Sequence, residues 1–179
     1  QRLEDLHQAF TLPDISAVWC LRGGYGCAQL VADIDWGLLR QASPRPLIGF
    51  SDLSILLEAF AQRGLPAIHG PVATALGHLA LSAPGGQRER LASMQALWSL
   101  LNGQHQQLPL RHISGPQHVI EGTLQGGNLT ALASVCGTHA ELRLTEDSIL
   151  ILEDVGEPYY RLERSLWQLL HSFAGKRPR

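Results

Sequence analysis

A serine at an abrupt junction between two predicted elements is the sharpest chemical feature of this sequence. In LIGFSDLS, residues 47–54, a short apolar run meets a segment whose apolar residues repeat at helical spacing. A hydroxyl at such a junction projects from the carboxyl end of a sheet, where the Asp52 N–H and the helix N-terminus favour an oxyanion. Ser51 is therefore a candidate nucleophile. Because Leu53 stands where the usual G-x-S-x-G elbow has its second glycine, the alternative that Ser51 or Asp52 caps the helix stays open.

A glycine-rich segment, RGGYG at residues 22–26, follows another short apolar run. Consecutive glycines let backbone amides approach an anion closely at the end of a strand. The segment matches neither G-x-G-x-x-G nor a P-loop, so a phosphate site competes here with a tight turn beside the serine. Such a turn could supply a second oxyanion donor. Arg22, at the strand end, is a candidate for holding a substrate carboxylate through two hydrogen bonds, although a solvated arginine is the simpler interpretation.

Acidic residues follow a third apolar run, in ILILEDVGEPYY, where Glu153 and Asp154 end the run and Glu157 comes shortly after. Carboxylates at a strand end beside a crevice are often functional, but acidic residues at a helix start also interact favourably with the helix dipole. Both interpretations remain open. The sequence has no H-x-x-H, H-E-x-x-H or D-x-D spacing, so we expect neither a metal site nor a cofactor.

A serine nucleophile needs a base, and the sequence offers eight histidines. His69, in AIHGPV, lies at a clear strand end in the first half of the chain, so it is either a candidate base or a residue that lines the substrate pocket. The other histidines fall in predicted loops or helices: His78, His105, His112, His118 and His139 in loops, His7 and His171 in helices.

The first half of the chain has the pattern of an α/β protein. Residues 13–72 alternate short apolar runs with amphipathic segments in the order β-α-β-α-β, which predicts parallel strands joined by crossover helices. We assign residues 1–75 to an N-terminal α/β domain that carries the serine. Residues 76–118 are predicted to be an interdomain linker with one helix, from about residue 87 to residue 101.

A second, smaller α/β unit with a mixed sheet is predicted over residues 119–179. It begins with a strand VIEGTL, a turn QGGN and a helix NLTALASVCG, and continues with a strand SILILED and a last helix from near Tyr160. The chain starts at Gln1 with apolar residues spaced as in a helix already under way, and its last periodic stretch stops at GKRPR. We therefore expect a fragment that lacks both ends of a longer protein.

Composition excludes several classes of partner. The 179 residues contain 14 Lys+Arg and 16 Asp+Glu, a formal charge of −2, so neither nucleic acid nor an anionic membrane is an expected partner. No apolar run reaches the roughly 18 residues that span a bilayer. Cys20, Cys27 and Cys136 form no C-x-x-C pair, which favours a reducing cytoplasm over a disulfide framework.

Several segments together carry a family resemblance. RGGYG, GFSD, HGP, EGTLQGGNLTAL and ILEDVGEPYYRLERSLWQL, in this order, resemble the LD-carboxypeptidase family, serine peptidases that act on muropeptides. The resemblance implies that Ser51 is the nucleophile of a Ser-His-Glu triad and that Glu153 orients the histidine. It also implies that the backbone amides of Gly24 and Asp52 form the oxyanion hole.

The resemblance also implies which reaction is catalysed and that the catalytic histidine is absent from this sequence. The family's catalytic histidine lies far downstream, in a glycine-flanked segment that this sequence does not reach, and His171 does not match it. The expected reaction is hydrolysis of the L,D-amide bond that releases terminal D-alanine from murein tetrapeptides in peptidoglycan recycling, by a cytoplasmic homodimer. Without its base, this chain alone is expected to have negligible activity.

Two alternatives remain at this stage. Microcin immunity peptidases of the same family cut an aminoacyl-nucleotide, and an adenine in the pocket would need an aromatic stacking partner from among Trp19, Trp36, Trp98 and Trp167. The other alternative is a noncatalytic α/β module that binds an anion at RGGYG and at the helix start after Ser51. Binding by such a module would survive the substitution Ser51→Ala.

Overall fold

The computed structural model describes residues 1–42, 44–81, 84–104, 107, 110–115 and 118–178, with only the backbone described in 78–81 and 84–86. The helices are α1 Arg2–Thr11, α2 Cys27–Val31, α3 Trp36–Gln41, α4 Ser54–Ala61, α5 Thr74–Leu81, α6 Pro84–Leu101, α7 Leu129–Ser134 and α8 Tyr159–Ser172. The strands are β1 Val18–Trp19, β2 Leu47–Gly49, β3 Ala67–His69, β4 Thr123–Asn128 and β5 Ser148–Glu153.

The first sheet contains β1, β2 and β3 in that order, and all three strands are parallel. Its central strand is shielded from solvent: Leu47 is 0 % exposed and Ile48 is 1 % exposed. A parallel sheet needs both faces covered, which explains why this strand reads as an uninterrupted apolar run in the sequence. The predicted α/β fold with parallel strands is confirmed for this half.

Helix α4 is buried along most of its length, from Ser54 to Phe60. Phe60, near its end, is fully buried, and its ring packs against Phe10 of α1 at 5.2 Å and against Trp36 of α3 at 5.5 Å between ring centroids. Each buried aromatic ring contributes a large apolar area to this contact. The helix that follows Ser51 is therefore fixed from several sides.

The second sheet pairs β4 with β5 over six residues, from Thr123 opposite Ser148 to Asn128 opposite Glu153. The two strands are parallel, and the mixed sheet expected for this unit stays a prediction. Helices α7 and α8 pack on the sheet around a second core. Its buried members are Leu129, Leu132, Leu142, Leu144, Leu169 and Phe173.

The prediction of a turn at QGGN was wrong, because these residues form the carboxyl half of β4. Gly126 and Gly127 have φ values of +130° and +137°, which only glycine adopts readily. A side chain on Gly126 would collide with the carbonyl oxygen of Ile151 in β5. The two glycines therefore allow a close backbone approach in this strand, a role that the sequence pattern alone does not separate from a turn.

The region predicted as a linker with one helix contains most of α5 and all of α6. Helix α6 begins at Pro84, three residues earlier than expected, since proline is well accommodated in the first turn of a helix. It also packs on the first half, where the Trp98 ring meets the edge of Trp19 with ring centroids 6.2 Å apart. The domain boundaries themselves remain a proposal.

Two hydrogen bonds join α4 of the first half to β4 of the second. Ser54 Oγ accepts from the Asn128 N–H at 2.9 Å, and Glu58 Oε1 accepts from the Gly126 N–H at 2.6 Å. Between these bonds, Gly127 passes so close to α4 that a Cβ added to it would lie 2.6 Å from Ser54 Oγ. We call this the α4–β4 contact.

Replacing Gly127 with alanine should destabilise the fold. The new Cβ would lie 2.8 Å from the Ser54 Cβ and 3.2 Å from His69 Nδ1, and the backbone would keep its positive φ. We expect a loss of about 2–4 kcal/mol in the free energy of unfolding, measured by urea denaturation.

The control is Gly77→Ala on α5, where a Cβ would meet nothing within 4 Å. Because Gly77 lies inside a helix, that variant should gain roughly 0.5–1 kcal/mol. Equal effects of the two substitutions would contradict the steric role of Gly127.

Candidate active site

Ser51 lies in a sharp turn directly after β2, with a φ of +68°. A non-glycine residue rarely adopts this left-handed conformation, and such strain is concentrated at functional sites. Two glycines leave room for the turn: a Cβ on Gly49 would lie 2.6 Å from Leu53 Cδ1, and one on Gly23 would lie 3.1 Å from the Ser51 Cβ. The local geometry is that of a nucleophile elbow, although the sequence lacks the second glycine of the usual motif.

The alternative that Ser51 or Asp52 caps the helix is wrong. No side chain caps the Ser51–Leu53 3₁₀ turn or α4. Asp52 instead reaches across to the glycine-rich turn, where its Oδ2 accepts from the Cys27 N–H at 3.0 Å. The structure describes no hydrogen bond to the Ser51 hydroxyl, which leaves it available within its cleft.

The turn at residues 22–26 lies beside the serine, as expected for a tight turn. Besides the Asp52 bond, Arg2 of α1 fastens it by donating from Nη1 to the Tyr25 carbonyl at 3.0 Å. Gly24 has a φ of +142° and lines the cleft that contains Ser51. Arg22 is exposed and is not among the residues that line this cleft.

Both halves of the chain line this cleft, which has a volume of about 510 Å³. The first half contributes Gly24, Tyr25, Gly26, Ala28, Gln29, Phe50, Ser51, Asp52 and Ile55. The second half contributes Asn128, Thr130, Ala131, Ser134, Val135, Asp154, Val155 and Glu157. The elbow serine therefore faces a space whose opposite wall comes from the β4–α7 and β5–α8 connections.

Glu153 and His69 line a second, larger cavity of about 1190 Å³, which shares only Phe50 with the first. His69 Nε2 lies 3.6 Å from Glu153 Oε1, and its ring meets the Phe50 ring with centroids 5.5 Å apart. Neither Glu153 oxygen has a hydrogen-bond partner among the described residues. The predicted catalytic glutamate thus has an unsatisfied carboxylate at the end of β5.

Partial burial shifts both groups toward their neutral forms. It lowers the pKa of His69 below its usual value. Burial also raises the pKa of Glu153, as does the charge of Asp154, while the Asn128 amide acts in the opposite direction. A neutral imidazole beside Glu153 at pH 7 makes their contact a weak one rather than a salt bridge.

The histidines of the described residues are not hydrogen-bonded to Ser51. His69 faces Glu153, His7 accepts from the Asp35 N–H, and His171 bonds the Trp167 carbonyl within α8. His105 and the side chain of His78 lie outside the described residues. His69 therefore lines a pocket, while its candidacy as the base gains no support from the geometry.

Asp154 fastens the start of α7. Its carboxylate accepts from the Thr130 N–H at 3.0 Å, from the Thr130 hydroxyl at 2.6 Å and from the Val155 N–H at 2.9 Å. Burial raises the pKa of Asp154, but these bonds outweigh it and hold the pKa below its usual value. Glu157 lines the cleft, and its Oε2 lies 3.5 Å from Arg161 Nη1.

Sequence analysis missed the polar residues that join the two walls of the site, Ser54, Glu58 and Asn128. One signal was present: Glu58 interrupts the apolar run ILLEAF, and it is only 6 % exposed in the structure. A charged residue at that depth is rare unless it has a specific partner. Among the described residues, no group of three His, Cys, Asp or Glu side chains is arranged to hold a metal ion.

Family models match both halves of this arrangement. Residues 1–70 match the LD-carboxypeptidase N-terminal domain, and residues 121–178 match the LD-carboxypeptidase C-terminal domain. The chain belongs to the LD-carboxypeptidase family. The resemblance read from the motifs is thereby confirmed, and the two matched LD-carboxypeptidase domains contain Ser51 and Glu153 respectively.

Named relatives agree with this membership. A murein tetrapeptide carboxypeptidase of Pseudomonas aeruginosa is 65 % identical over 172 residues, which cover 96 % of this chain and 56 % of that protein. A probable murein peptide carboxypeptidase of Bacillus subtilis is 33 % identical, over 94 % of this chain and 51 % of that protein. The chain spans about half the length of the curated LD-carboxypeptidase relatives it matches.

Solved structures of the family share the fold. The crystal structure of muramoyltetrapeptide carboxypeptidase from Oxalobacter formigenes has a TM-score of 0.77 and 32 % identity, over 98 % of this chain and 57 % of that chain. A microcin C7 self-immunity protein in complex with adenosine monophosphate has a TM-score of 0.75 over 99 % of this chain and 59 % of that chain. At 20 % identity, the second likeness shows the fold alone.

Removing the charge of Asp52 should make the neighbouring Cys27 thiol more reactive. Burial raises the pKa of Cys27, and the hydrogen bond and charge of Asp52 raise it further. We expect Cys27 to react with an aromatic disulfide reagent at pH 8 about tenfold faster in Asp52→Asn, because the thiolate becomes easier to form. In Asp52→Ala, which also removes the acceptor for the Cys27 N–H, the Cys27 thiol should react faster still.

Labelling rates are resolved by mass spectrometry of peptides. Cys136, which packs against the second core, is the internal control and should keep its rate in both variants. Unchanged Cys27 labelling in Asp52→Ala would contradict the role of Asp52 in holding the glycine turn.

Proposed function

We propose that this LD-carboxypeptidase family protein hydrolyses the L,D-amide bond that releases terminal D-alanine from murein tetrapeptides, in peptidoglycan recycling. The observation that carries the proposal is the strained conformation of Ser51 at the end of β2, inside a cleft lined by both halves of the chain. The 65 % identical relative is a murein tetrapeptide carboxypeptidase, which supports the substrate class.

In the proposed mechanism, Ser51 Oγ attacks the carbonyl carbon of the scissile amide while an imidazole takes its proton. The backbone N–H groups of Gly24 and Asp52 stabilise the oxyanion of the tetrahedral intermediate. The C–N bond then breaks, and the imidazolium returns the proton to the departing amine of D-alanine. Water attacks the resulting acyl-enzyme ester by the same route, which releases the shortened peptide and regenerates the Ser51 hydroxyl.

The imidazole in this mechanism is a histidine outside residues 1–179, held in orientation by Glu153. Two observations support this assignment: none of the described histidines bonds Ser51, and both Glu153 oxygens lack a partner among the described residues. A buried carboxylate without a hydrogen bond is costly, and a histidine N–H donated to it would remove that cost. The proposal assigns His69 to substrate binding beside Glu153. That Arg22 holds the terminal carboxylate stays a prediction without support from the geometry, because Arg22 is exposed and is not among the residues that line the cleft.

Aromatic placement favours a peptide over an aminoacyl-nucleotide substrate. None of the four tryptophans is among the residues that line either cavity. Trp19 packs on Trp98, Trp36 on Phe60, and Trp167 on His171. Among the described residues that line the cleft of Ser51, an adenine ring would find Phe50 and Tyr25 as aromatic neighbours and no tryptophan.

A cytoplasmic location and a homodimer are parts of the same proposal. The location is supported by three cysteines that are free in the structure. Within the part of the chain that the structure describes, no helix combines the length and the apolar character needed to cross a bilayer.

The substitution Ser51→Ala tests the proposal in the gene product as it is expressed from its native reading frame. Its intact mass is measured first, because a product of 19.6 kDa corresponds to this chain alone and is expected to be inactive. A larger product should release D-alanine from a murein tetrapeptide, and Ser51→Ala should lower that rate by roughly 10³-fold or more.

The matched control is Ser134→Ala, which removes another hydroxyl from the same cleft. The Ser134 hydroxyl donates to the Ala131 carbonyl within α7, so its loss should change the rate by no more than about twofold. Release that survives Ser51→Ala would refute the nucleophile. A folded, larger product without any release would favour the immunity-peptidase or binding-module alternative.

A further inference from the structure

Glu58 is a buried acid in the α4–β4 contact that the proposed mechanism does not use. It is 6 % exposed, and its Oε1 accepts from the Gly126 N–H at 2.6 Å. Its Oε2 is also buried and has no hydrogen-bond partner among the described residues. A buried carboxylate with one unpaired oxygen is costly, so this environment favours the neutral, protonated form of Glu58.

No lysine or arginine among the described residues that line its cavity compensates the charge of this carboxyl group. Among the described residues that line its cavity, the ionisable groups are His69 from β3 and Glu153 from β5, and no lysine or arginine is present. From β4, the neutral Gln125 lines the cavity. From α6 come only uncharged lining residues: Ala92, Ser93, Ala96, Leu97 and Leu100.

The other elements packed on α4 place no charge in this cavity. Strand β2 and helix α7 contain no ionisable residue. The ionisable residues of the Ser51–Leu53 turn, α1, α2 and α3 are not among the described residues that line the cavity: Asp52, Arg2, Glu4, Asp5, His7, Cys27 and Arg40. Burial therefore dominates and raises the pKa of Glu58 to about 7, against the opposing effects of the Gly126 N–H and the Gln125 amide.

The position of Glu58 connects the two functional walls. It lies on the helix that begins three residues after Ser51, and it binds the strand that pairs with β5. Gly126 lies opposite Ile151, and Asn128, two residues further on, lies opposite Glu153. Any shift of Gly126 relative to α4 therefore moves the end of β5 that carries Glu153.

We propose that Glu58 is a positioning residue of the active site: its carboxyl group accepts from the Gly126 N–H, fixes the glycine segment of β4 against α4, and so sets the place of Glu153 relative to Ser51. The catalytic meaning of this proposal rests on the function proposed above. The structural part, the hold of Glu58 on Gly126 and the dependence of stability on the protonation of Glu58, stands independently of it.

The sign of the pH dependence follows from the raised pKa. The folded state favours protonation of Glu58. Its contribution to the free energy of unfolding is therefore fully present below the pKa of the unfolded chain, near 4.5, and is lost as the pH rises through about 7. Glu58→Gln keeps an oxygen that can accept from the Gly126 N–H but cannot ionise. The urea midpoint of the wild-type protein should therefore fall relative to that of Glu58→Gln between pH 5 and pH 8.

The exposed Glu163→Gln on α8 is the matched control, and its urea midpoint should follow that of the wild type at every pH. In ¹⁵N-labelled protein, the Gly126 amide resonance should titrate with an apparent pKa of about 7. That titration should disappear in Glu58→Gln and persist in His69→Gln, which separates Glu58 from the nearby imidazole. The proposal is overturned if Gly126 titrates identically in the wild type and in Glu58→Gln.

Activity measurements on a D-alanine-releasing gene product then test positioning. Glu58→Leu should lower kcat by about tenfold with little change in KM, because the peptide is still bound but Glu153 is displaced. Glu58→Gln, which keeps an oxygen that accepts from the Gly126 N–H, should restore kcat. If Gly126 titrates as expected but no variant releases D-alanine, the proposed function fails and the hold on Gly126 stands. A kcat of Glu58→Leu equal to that of the wild type would refute the positioning role.

Discussion

The α4–β4 contact is the interaction on which the rest of this site depends. Ser51 follows a strand of the first sheet and Glu153 ends a strand of the second, and the two sheets are separate in the described part of the chain. Ser54 and Glu58 reach from the helix after the serine to the backbone of β4, and Gly127 allows the approach because it has no side chain. Polar groups buried this deeply must be paired in one geometry, so the contact specifies a single arrangement of the two halves more sharply than apolar packing would.

The strain at Ser51 depends on the same rigid support. A left-handed serine persists only where its surroundings determine the backbone on both sides. On one side, β2 is fully buried between two parallel neighbours, and on the other, α4 is fixed through Phe60 and the α4–β4 contact. The Asp52 carboxylate then ties the glycine turn to the elbow, so the two proposed oxyanion donors are part of one connected unit.

The carboxyl groups of Asp154, Glu153 and Glu58 differ in pKa because they differ in burial and in hydrogen-bond partners. Asp154 accepts from Thr130, from Val155 and, at 3.5 Å, from the Asn128 amide, and its pKa is lowered, so it serves as a structural anion for α7. Glu153 has no hydrogen-bond partner among the described residues, which suits a group that must accept from a catalytic histidine. Glu58 accepts one hydrogen bond, from Gly126, and no lysine or arginine is among the described residues that line its cavity. This environment suits a carboxyl group that is neutral for part of the physiological pH range.

The sequence by itself determined the elements with strong local signals: the parallel strands of the first half, the helix after Ser51, β5 and α8, and the family that their motifs indicate. These follow from hydrophobic periodicity and glycine spacing, which are properties of neighbouring residues. Only the tertiary structure decided that QGGN is a strand, that Asp52 ties a turn rather than caps a helix, and that Glu58 and Ser54 join the two walls. Each of these depends on a partner far away in the chain, as with Glu58 and Gly126, and local sequence carries no information on such a pairing.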